Sequence, residues 1–211
     1  SSARLTYQQV ADYYQNGVLN HHDDNVDIKD NLDDLQTLYQ ALRSARVKRG
    51  AIDFETTEYR FQFDRHGAVS GLIPHDRNDA HKLIEECMIL ANVEAGRFLL
   101  SKKLPAPYRV HASPPEGKLE TLSQFLRGQG IRVPWRDNPQ PADFEAVVKV
   151  AQGRPDEQLI MAVLLRSQSV AAYQSSNEGH FGLALKVYTH FTSPIRRYPD
   201  LLVPRAIHQL L

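Results

Sequence analysis

Apolar residues recur at intervals of three and four along most of this chain, and one block alternates with a period of two. Over residues 4–15 the run R-L-T-Y-Q-Q-V-A-D-Y-Y-Q predicts a helix, with Thr6 and Gln9 at capping-box spacing and Asn16-Gly17 as the stop. A longer helix is predicted over 31–49, where Leu32, Leu35, Leu38, Tyr39, Leu42 and Ala45 repeat and Gly50 closes the C-terminus. Its basic end (Arg43, Arg46, Lys48, Arg49) complements the helix dipole. From Ala51 the period shortens. Ile52 and Phe54, then Tyr59, Phe61 and Phe63, alternate with polar residues, and Arg65-His66-Gly67 turns the chain into 68–73. A second long helix, about 78–102, is apolar round most of its circumference and is expected to be central to the core. Glu85 and Glu86 interrupt it. Neighbours on a helix lie about 100° apart, so at most one of the two faces inwards, and an inward carboxylate needs a partner.

The middle of the chain predicts packing and no chemistry. A short strand (108–111) precedes a helix over 118–127 closed by Gly128 and Gly130. A loop carries Trp135, and two helices follow over 144–151 and 157–172. The second should bury Leu159, Ile160, Val163, Leu164 and Val170. Near the C-terminus, Ser193-Pro194 reads as a helix start, with Thr192 or Ser193 as cap and Pro194 in the first turn. That helix would carry Ile195, Leu201, Leu202 and Ile207 towards a core. The fold class is α+β, mainly helical, with a small antiparallel sheet near 51–73.

Candidate chemistry concentrates between Gly179 and Arg205, in G-H-F-G-L-A-L-K-V-Y-T-H-F-T-S-P-I-R-R-Y-P-D-L-L-V-P-R. A helix starting at Ser193-Pro194 would set Arg196 and Arg197 about one turn inside its N-terminus, where free N–H groups and the dipole favour anions. With the hydroxyls of Thr192 and Ser193 they could cradle a phosphate. The same residues also make an ordinary capped helix with two solvated arginines. The polar loop 20–30 holds His21, His22, Asp23, Asp24 and Asp27. Consecutive side chains diverge, however, and Asp23 and Asp27, though four apart, imply no shaped pocket, so it reads as a solvated approach to the next helix.

Composition narrows the class. The 211 residues, 42% hydrophobic and 24% charged, suffice for one or two soluble globular domains with a real core. No apolar run is long enough for a membrane span. The single cysteine, Cys87, lies among Leu83, Ile84 and Met88; it fits a reducing, cytoplasmic setting and core packing. A net charge of zero argues against a free-standing nucleic-acid binder unless the positive charge is gathered in one channel. The chain opens Ser1-Ser2-Ala3 and reaches Leu211 inside an amphipathic run, so it is expected to be a piece of a larger protein.

The wording of G-H-F-G-L-A-L…Y-x-H-F-T-S-P-I-R-R-Y-x-D-L resembles the signature of the ribonuclease II/ribonuclease R (RNB) family, its ribonuclease R branch in particular. The likeness returns at A-R-L-T-Y (3–7) and at R-N-D-A-H-K-L-I-E-E-C-M-I-L-A-N (77–92). It implies the C-terminal portion of an RNB-type catalytic domain spanning 1–211. It also implies a processive, Mg²⁺-dependent hydrolase that shortens single-stranded RNA from its 3′ end to 5′-mononucleotides. Residue by residue, Tyr7 corresponds to an aromatic beside the 3′-terminal nucleotide, and Glu85 to a carboxylate that helps select ribose. Phe54 falls where an aromatic clamps terminal bases, with Phe61 as a possible substitute. Arg196 corresponds to the arginine on the phosphate near the scissile bond, with Ser193 and Arg197 beside it.

Two departures qualify the resemblance. Where the family has histidine before arginine, this chain has Pro204-Arg205, and a proline inside a helix costs about 3 kcal/mol or more. The family's aspartate cluster for Mg²⁺ has no counterpart in this wording, and Asp30, Asp33 and Asp34 do not match it. The cold-shock and S1-type RNA-binding domains, and the N-terminal half of the catalytic domain, are likewise expected in a longer parent, with the fragment alone inactive. Two other readings remain: a catalytically dead RNA-binding or scaffolding module of the same ancestry, and a helical interaction domain whose motif is structural only.

Overall fold

The structure, a computed structural model, describes residues 3–19, 28–54, 58–75 and 77–210. Among them lie seven helices and four short strands: α1 (Tyr7–Asn16), α2 (Lys29–Arg49), β1 (Glu58–Phe63), β2 (Val69–His75), α3 (Asp79–Ser101), β3 (Tyr108–Val110), α4 (Glu116–Gly128), α5 (Pro141–Ala151), α6 (Glu157–Ser167), β4 (Ala172–Gln174) and α7 (Tyr198–His208). The α+β, mainly helical class expected from the sequence is the one observed. The chain forms two compact units, one of Ser1–Arg43 and Glu55–Cys87, the other of Ser44–Phe54 and Met88–Leu211.

In the first unit α1 begins as its sequence dictates. Thr6 is the N-cap, its hydroxyl accepts from the Gln9 N–H at 3.2 Å, and the Gln9 side chain accepts from the Thr6 N–H at 2.8 Å. β1 and β2 pair antiparallel through the turn at 64–67. Their apolar side chains are not core: Tyr59, Phe61, Phe63, Val69, Leu72 and Ile73 are all exposed. Alternation correctly marked the strands, but it could not say that each face of a two-stranded ribbon stays open. Residues 51–54, expected as strand, have no regular structure.

The second unit holds the main core. Leu122, Leu126, Phe144, Val147, Ile160 and Leu164 pack with Ile52 and with Trp135, whose ring stacks on Phe144 at 5.0 Å. A second cluster joins Leu99, Tyr108, Val110 and Val203, with Phe191 and Ile207 packed against it. Gly50 is needed where it stands. Its φ is 74°, and a Cβ there would lie 2.7 Å from the Ala142 Cβ.

Two expectations fail in this unit. α6 stops at Ser167, so Val170 is 90% exposed and Leu159 is also exposed, while 172–174 turn into β4 and pair with β3. Ser193-Pro194 does not start the last helix. Residues 194–196 form a turn, α7 begins at Tyr198, Pro199 takes its first turn, and Ile195 is fully solvent-exposed. Two prolines five residues apart both satisfied the local rule, and the hydrogen bonds of buried Asp200 to Ser193 and Arg197 close a turn ahead of the second. The departure at Pro204-Arg205 lies within α7, which runs on through Pro204 to His208 with Val203 fully buried beside it.

The hydroxyl of Tyr108 is buried without a hydrogen-bond partner among the described residues. An unmet buried polar group costs about 1–3 kcal/mol. Tyr108→Phe should therefore raise stability by about 1 kcal/mol, whereas Leu164→Ala should lower it by about 2–5 kcal/mol. Urea unfolding followed by the fluorescence of Trp135 reads both.

Candidate functional site

The residues singled out by sequence fall into two groups, one in each unit. In the first, α1 presents Tyr7, half-exposed at 46%, and its ring stacks on His81 with centroids 4.0 Å apart and planes at 22°. His81 is set by the start of α3, where its N–H donates to the Asn78 side-chain oxygen at 3.2 Å and its Nδ1 lies 2.7 Å from the same atom. One turn further along that face, Glu85 is held by an ion pair with Arg77 and remains part-exposed. Glu86 points inwards and is 5% exposed, as the 100° argument required of one of the pair. The first unit thus offers an aromatic platform and, on the next turn of α3, an oriented carboxylate. Cys87 is half-buried, and burial, with Glu86 adding to it, pushes its thiol above the ordinary value.

In the second unit, Phe54 is half-buried and packs against the Phe144 core. Phe61, its substitute by sequence, is 62% exposed in the other unit. The two arginines behave differently. Arg197 donates from Nε to Asp200 Oδ2 and from Nη2 to Asp200 Oδ1, both at 2.8 Å. Asp200 is completely buried, and its Oδ1 also accepts the Ser193 N–H at 2.7 Å. The Ser193 carbonyl in turn accepts the N–H groups of Arg196 and Arg197 at 3.3 and 3.1 Å. One carboxylate therefore ties both ends of the 193–197 turn. Arg196, at its outer edge, is exposed, and its side chain makes no hydrogen bond or ion pair among the described residues. Asn92 of α3 supports the preceding step, since its Oδ1 accepts the N–H groups of Phe191 and Thr192 at 2.9 and 3.2 Å.

The G-H-F-G-L-A-L segment is built by two histidines acting as neutral acceptors. His180 and Leu185 exchange backbone hydrogen bonds at 2.8 and 3.1 Å, closing a tight loop in which Ala184 has a φ of 52°. Gly179, at φ 78°, cannot carry a side chain, because a Cβ would meet the Leu185 carbonyl at 2.7 Å. His111 Nδ1 accepts the Gly182 N–H at 2.9 Å while its Nε2–H donates to the Ser169 carbonyl at 2.9 Å, which fixes the tautomer. His180 Nδ1 accepts the Leu183 N–H at 3.3 Å.

Rings continue from there: His180 lies 5.3 Å from Tyr188, Tyr188 lies 5.6 Å from His190, and His190 Nδ1 shares a 2.6 Å hydrogen bond with the Tyr173 hydroxyl. Burial, with His111 and Arg109 adding to it, lowers the pKa of His180 to about 3. Burial and Arg197 lower that of His190 to about 4, against an opposing pull from Asp200, with Arg109 and Arg196 contributing. Burial also lowers His111. Neutral imidazoles amid arginines leave the positive potential to the guanidiniums.

Among the described residues no group of three or more His, Cys, Asp or Glu side chains is placed to hold a metal ion. The oxygens of Asp200 are already committed, so the described residues do not fit the octahedral oxygen shell of the Mg²⁺ that the resemblance implies. His21, His22, Asp23, Asp24 and Asp27 lie outside the described residues. Nor is any helix among the described residues long and apolar enough to cross a membrane.

Sequence reasoning missed His81, Arg77, Asn92, Arg109, Tyr173 and the part played by Asp200. His81 was within reach, four residues before Glu85 on one helix face. Arg109 and Tyr173 meet only across the β3–β4 ladder.

The RNB domain family matches residues 1–211. Ribonuclease R of Vibrio parahaemolyticus is 44% identical over 211 residues, covering 100% of this chain and 25% of its own length. That of Vibrio cholerae is 46% identical, with 26% of its length covered. The structure of Mycoplasma genitalium RNase R in complex with ribose-methylated single-stranded RNA is similar with a TM-score of 0.88 at 28% identity, over 97% of this chain and 32% of that one. This chain spans about a quarter of the length of the curated relatives it matches.

Removing Asp200 leaves the half-buried Arg197 guanidinium without its partner, so Asp200→Ala should lose about 3–5 kcal/mol of stability by chemical unfolding. Stability should also depend on pH through the histidines. Their folded pKa values lie below the unfolded value of 6.5, so the unfolded chain binds more protons at mildly acid pH. The contribution is complete above pH 6.5 and is lost as the pH falls towards about 4 for His190 and about 3 for His180. Urea midpoints should be flat from neutral pH upwards and decline below pH 6.5. His180→Asn keeps an acceptor near the Nδ1 position but cannot titrate, and should make that decline shallower.

Proposed function

This chain belongs to the RNB domain family, and on that premise we propose that it is the C-terminal portion of the catalytic domain of a processive 3′-to-5′ exoribonuclease. The substrate of the parent is single-stranded RNA, hydrolysed to 5′-mononucleotides in the cytoplasm. The observation that carries this reading is Arg196, an exposed guanidinium without an acidic partner among the described residues, on a turn locked by Asp200.

Each group has a physical task in this reading. Arg196 holds the phosphate near the scissile bond and stabilises the charge that develops there. Arg197 and Ser193 serve the same phosphate by fixing the turn through Asp200. Tyr7, stacked on His81, supports the 3′-terminal nucleotide, and base–aromatic stacking of about 1–3 kcal/mol per base tolerates any sequence. Glu85, oriented by Arg77, accepts the ribose 2′-OH, a hydrogen bond that DNA cannot make. Phe54 or the more exposed Phe61 clamps a base. A divalent metal, expected to be Mg²⁺, would activate water and neutralise the leaving oxygen, held by residues of the parent outside this chain. Cold-shock and S1-type domains of the parent would add RNA affinity, and the 211 residues alone should not hydrolyse RNA.

The test is digestion of 5′-labelled single-stranded RNA and the matched DNA by the full-length parent, with Mg²⁺ or with EDTA. Stepwise, metal-dependent shortening of RNA but not DNA is expected. It should slow by about 10²–10³-fold in Arg196→Ala, a typical loss for one electrostatic stabiliser. Glu85→Ala should narrow the preference for RNA over DNA. A parent that binds RNA and never shortens it would replace this reading with that of a binding or scaffolding module.

A further inference from the structure

We propose that Arg109 and Tyr173 form a second contact for an internucleotide phosphate of the RNA strand, separate from Arg196. The inference rests on the exoribonuclease reading above. Nothing in the local sequence marks either residue, and the ladder brings them together. β3 and β4 run antiparallel with Arg109 directly opposite Tyr173, so both side chains rise on one face. The Arg109 guanidinium lies over the Tyr173 ring, 4.8 Å from its centroid. Tyr173 is 39% exposed, and its hydroxyl is tied to His190, whose Nδ1 lies 4.0 Å from Asp200 Oδ2. The pair thereby lies within two side chains of the carboxylate that anchors the Arg196 turn, with no hydrogen bond across the last step.

What distinguishes Arg109 is how it is held. Arg77, Arg97, Arg154 and Arg197 each meet a carboxylate, which orients them and neutralises them together. Arg109 makes no side-chain hydrogen bond or ion pair among the described residues, and an aromatic face orients it instead. Stacking leaves the in-plane N–H donors of a guanidinium free and its charge intact, the state suited to a phosphate. The neighbouring His190 is neutral at ordinary pH and does not compete as a cation. Tyr173 also forms one wall of an open cleft of about 610 Å³ with Pro107, Leu202 and Arg205, which Arg109 itself does not line.

The test uses the full-length parent in EDTA, with fluorescence anisotropy of a 5′-labelled single-stranded RNA across a salt series. Each phosphate contact on single-stranded nucleic acid adds about 0.7 to the slope of log affinity against log salt. Arg109→Gln should weaken binding and lower the slope by about that increment whatever the RNA sequence. Arg109→Lys should keep the slope. Arg196→Ala should lose an increment of its own, and the double variant should lose both. Tyr173→Leu, which removes the support but not the charge, should weaken binding with the slope retained, and it carries the test if Arg109→Gln unfolds. A wild-type slope and affinity in Arg109→Gln and Tyr173→Leu, with Arg196→Ala altered, would overturn the inference and leave the pair as surface packing. An unmodified parent with no salt-dependent RNA binding would instead overturn the RNA reading itself.

Discussion

The second unit's candidate site depends on a carboxylate that never sees solvent. Asp200 is fully buried, and both its oxygens are spent inside the chain, on the Arg197 guanidinium and the Ser193 N–H. A buried charge is tolerated only when paired and hydrogen-bonded, and here the pairing shapes backbone as well as side chain. Holding Ser193 and Arg197 together closes the 193–197 turn and delays the start of α7 to Tyr198. The turn then offers Arg196 outward while keeping Arg197 in. Two adjacent arginines that look equivalent in a sequence become a support and an outward-facing cation.

The histidines work on the same principle with the opposite charge state. His111 and His180 accept backbone N–H groups from the loop they hold, which a protonated ring could not do. Burial and the nearby arginines keep them neutral. The G-H-F-G-L-A-L wording is thereby largely accounted for as architecture: a glycine where a Cβ would collide, a histidine that supplies an acceptor, and a closed loop between them. Its value to the site is indirect, since the ring series from His180 through Tyr188 and His190 ends at Tyr173 and Asp200.

Net charge says little about local charge because it sums what the structure separates. The chain is neutral overall, yet Arg109, Arg196 and Arg197 all act on His190, and among the described residues only Arg197 of the three meets a carboxylate. Local excess of one sign can arise in a neutral chain when acids elsewhere are matched to their own bases, as Glu85 is to Arg77 and Asp156 to Arg154.

The sequence by itself determined the periodic elements: α1 with its Thr6–Gln9 box, the long helices α2 and α3, and the hairpin turning at Arg65-His66-Gly67. It also determined family membership, through three islands of wording whose residues recur as a block. These signals are local, since a helix or a cap is decided by residues within about four positions of one another. Only the tertiary structure decided where α7 begins, that 172–174 pair with β3, that Phe54 packs on the core while Phe61 is exposed, and which arginine faces outwards. Those outcomes turn on contacts between distant residues, such as Arg109 with Tyr173, or on competition between equally good local choices, such as Pro194 against Pro199. Neither leaves a period in the chain, because such contacts are settled by burial and hydrogen-bond satisfaction in three dimensions.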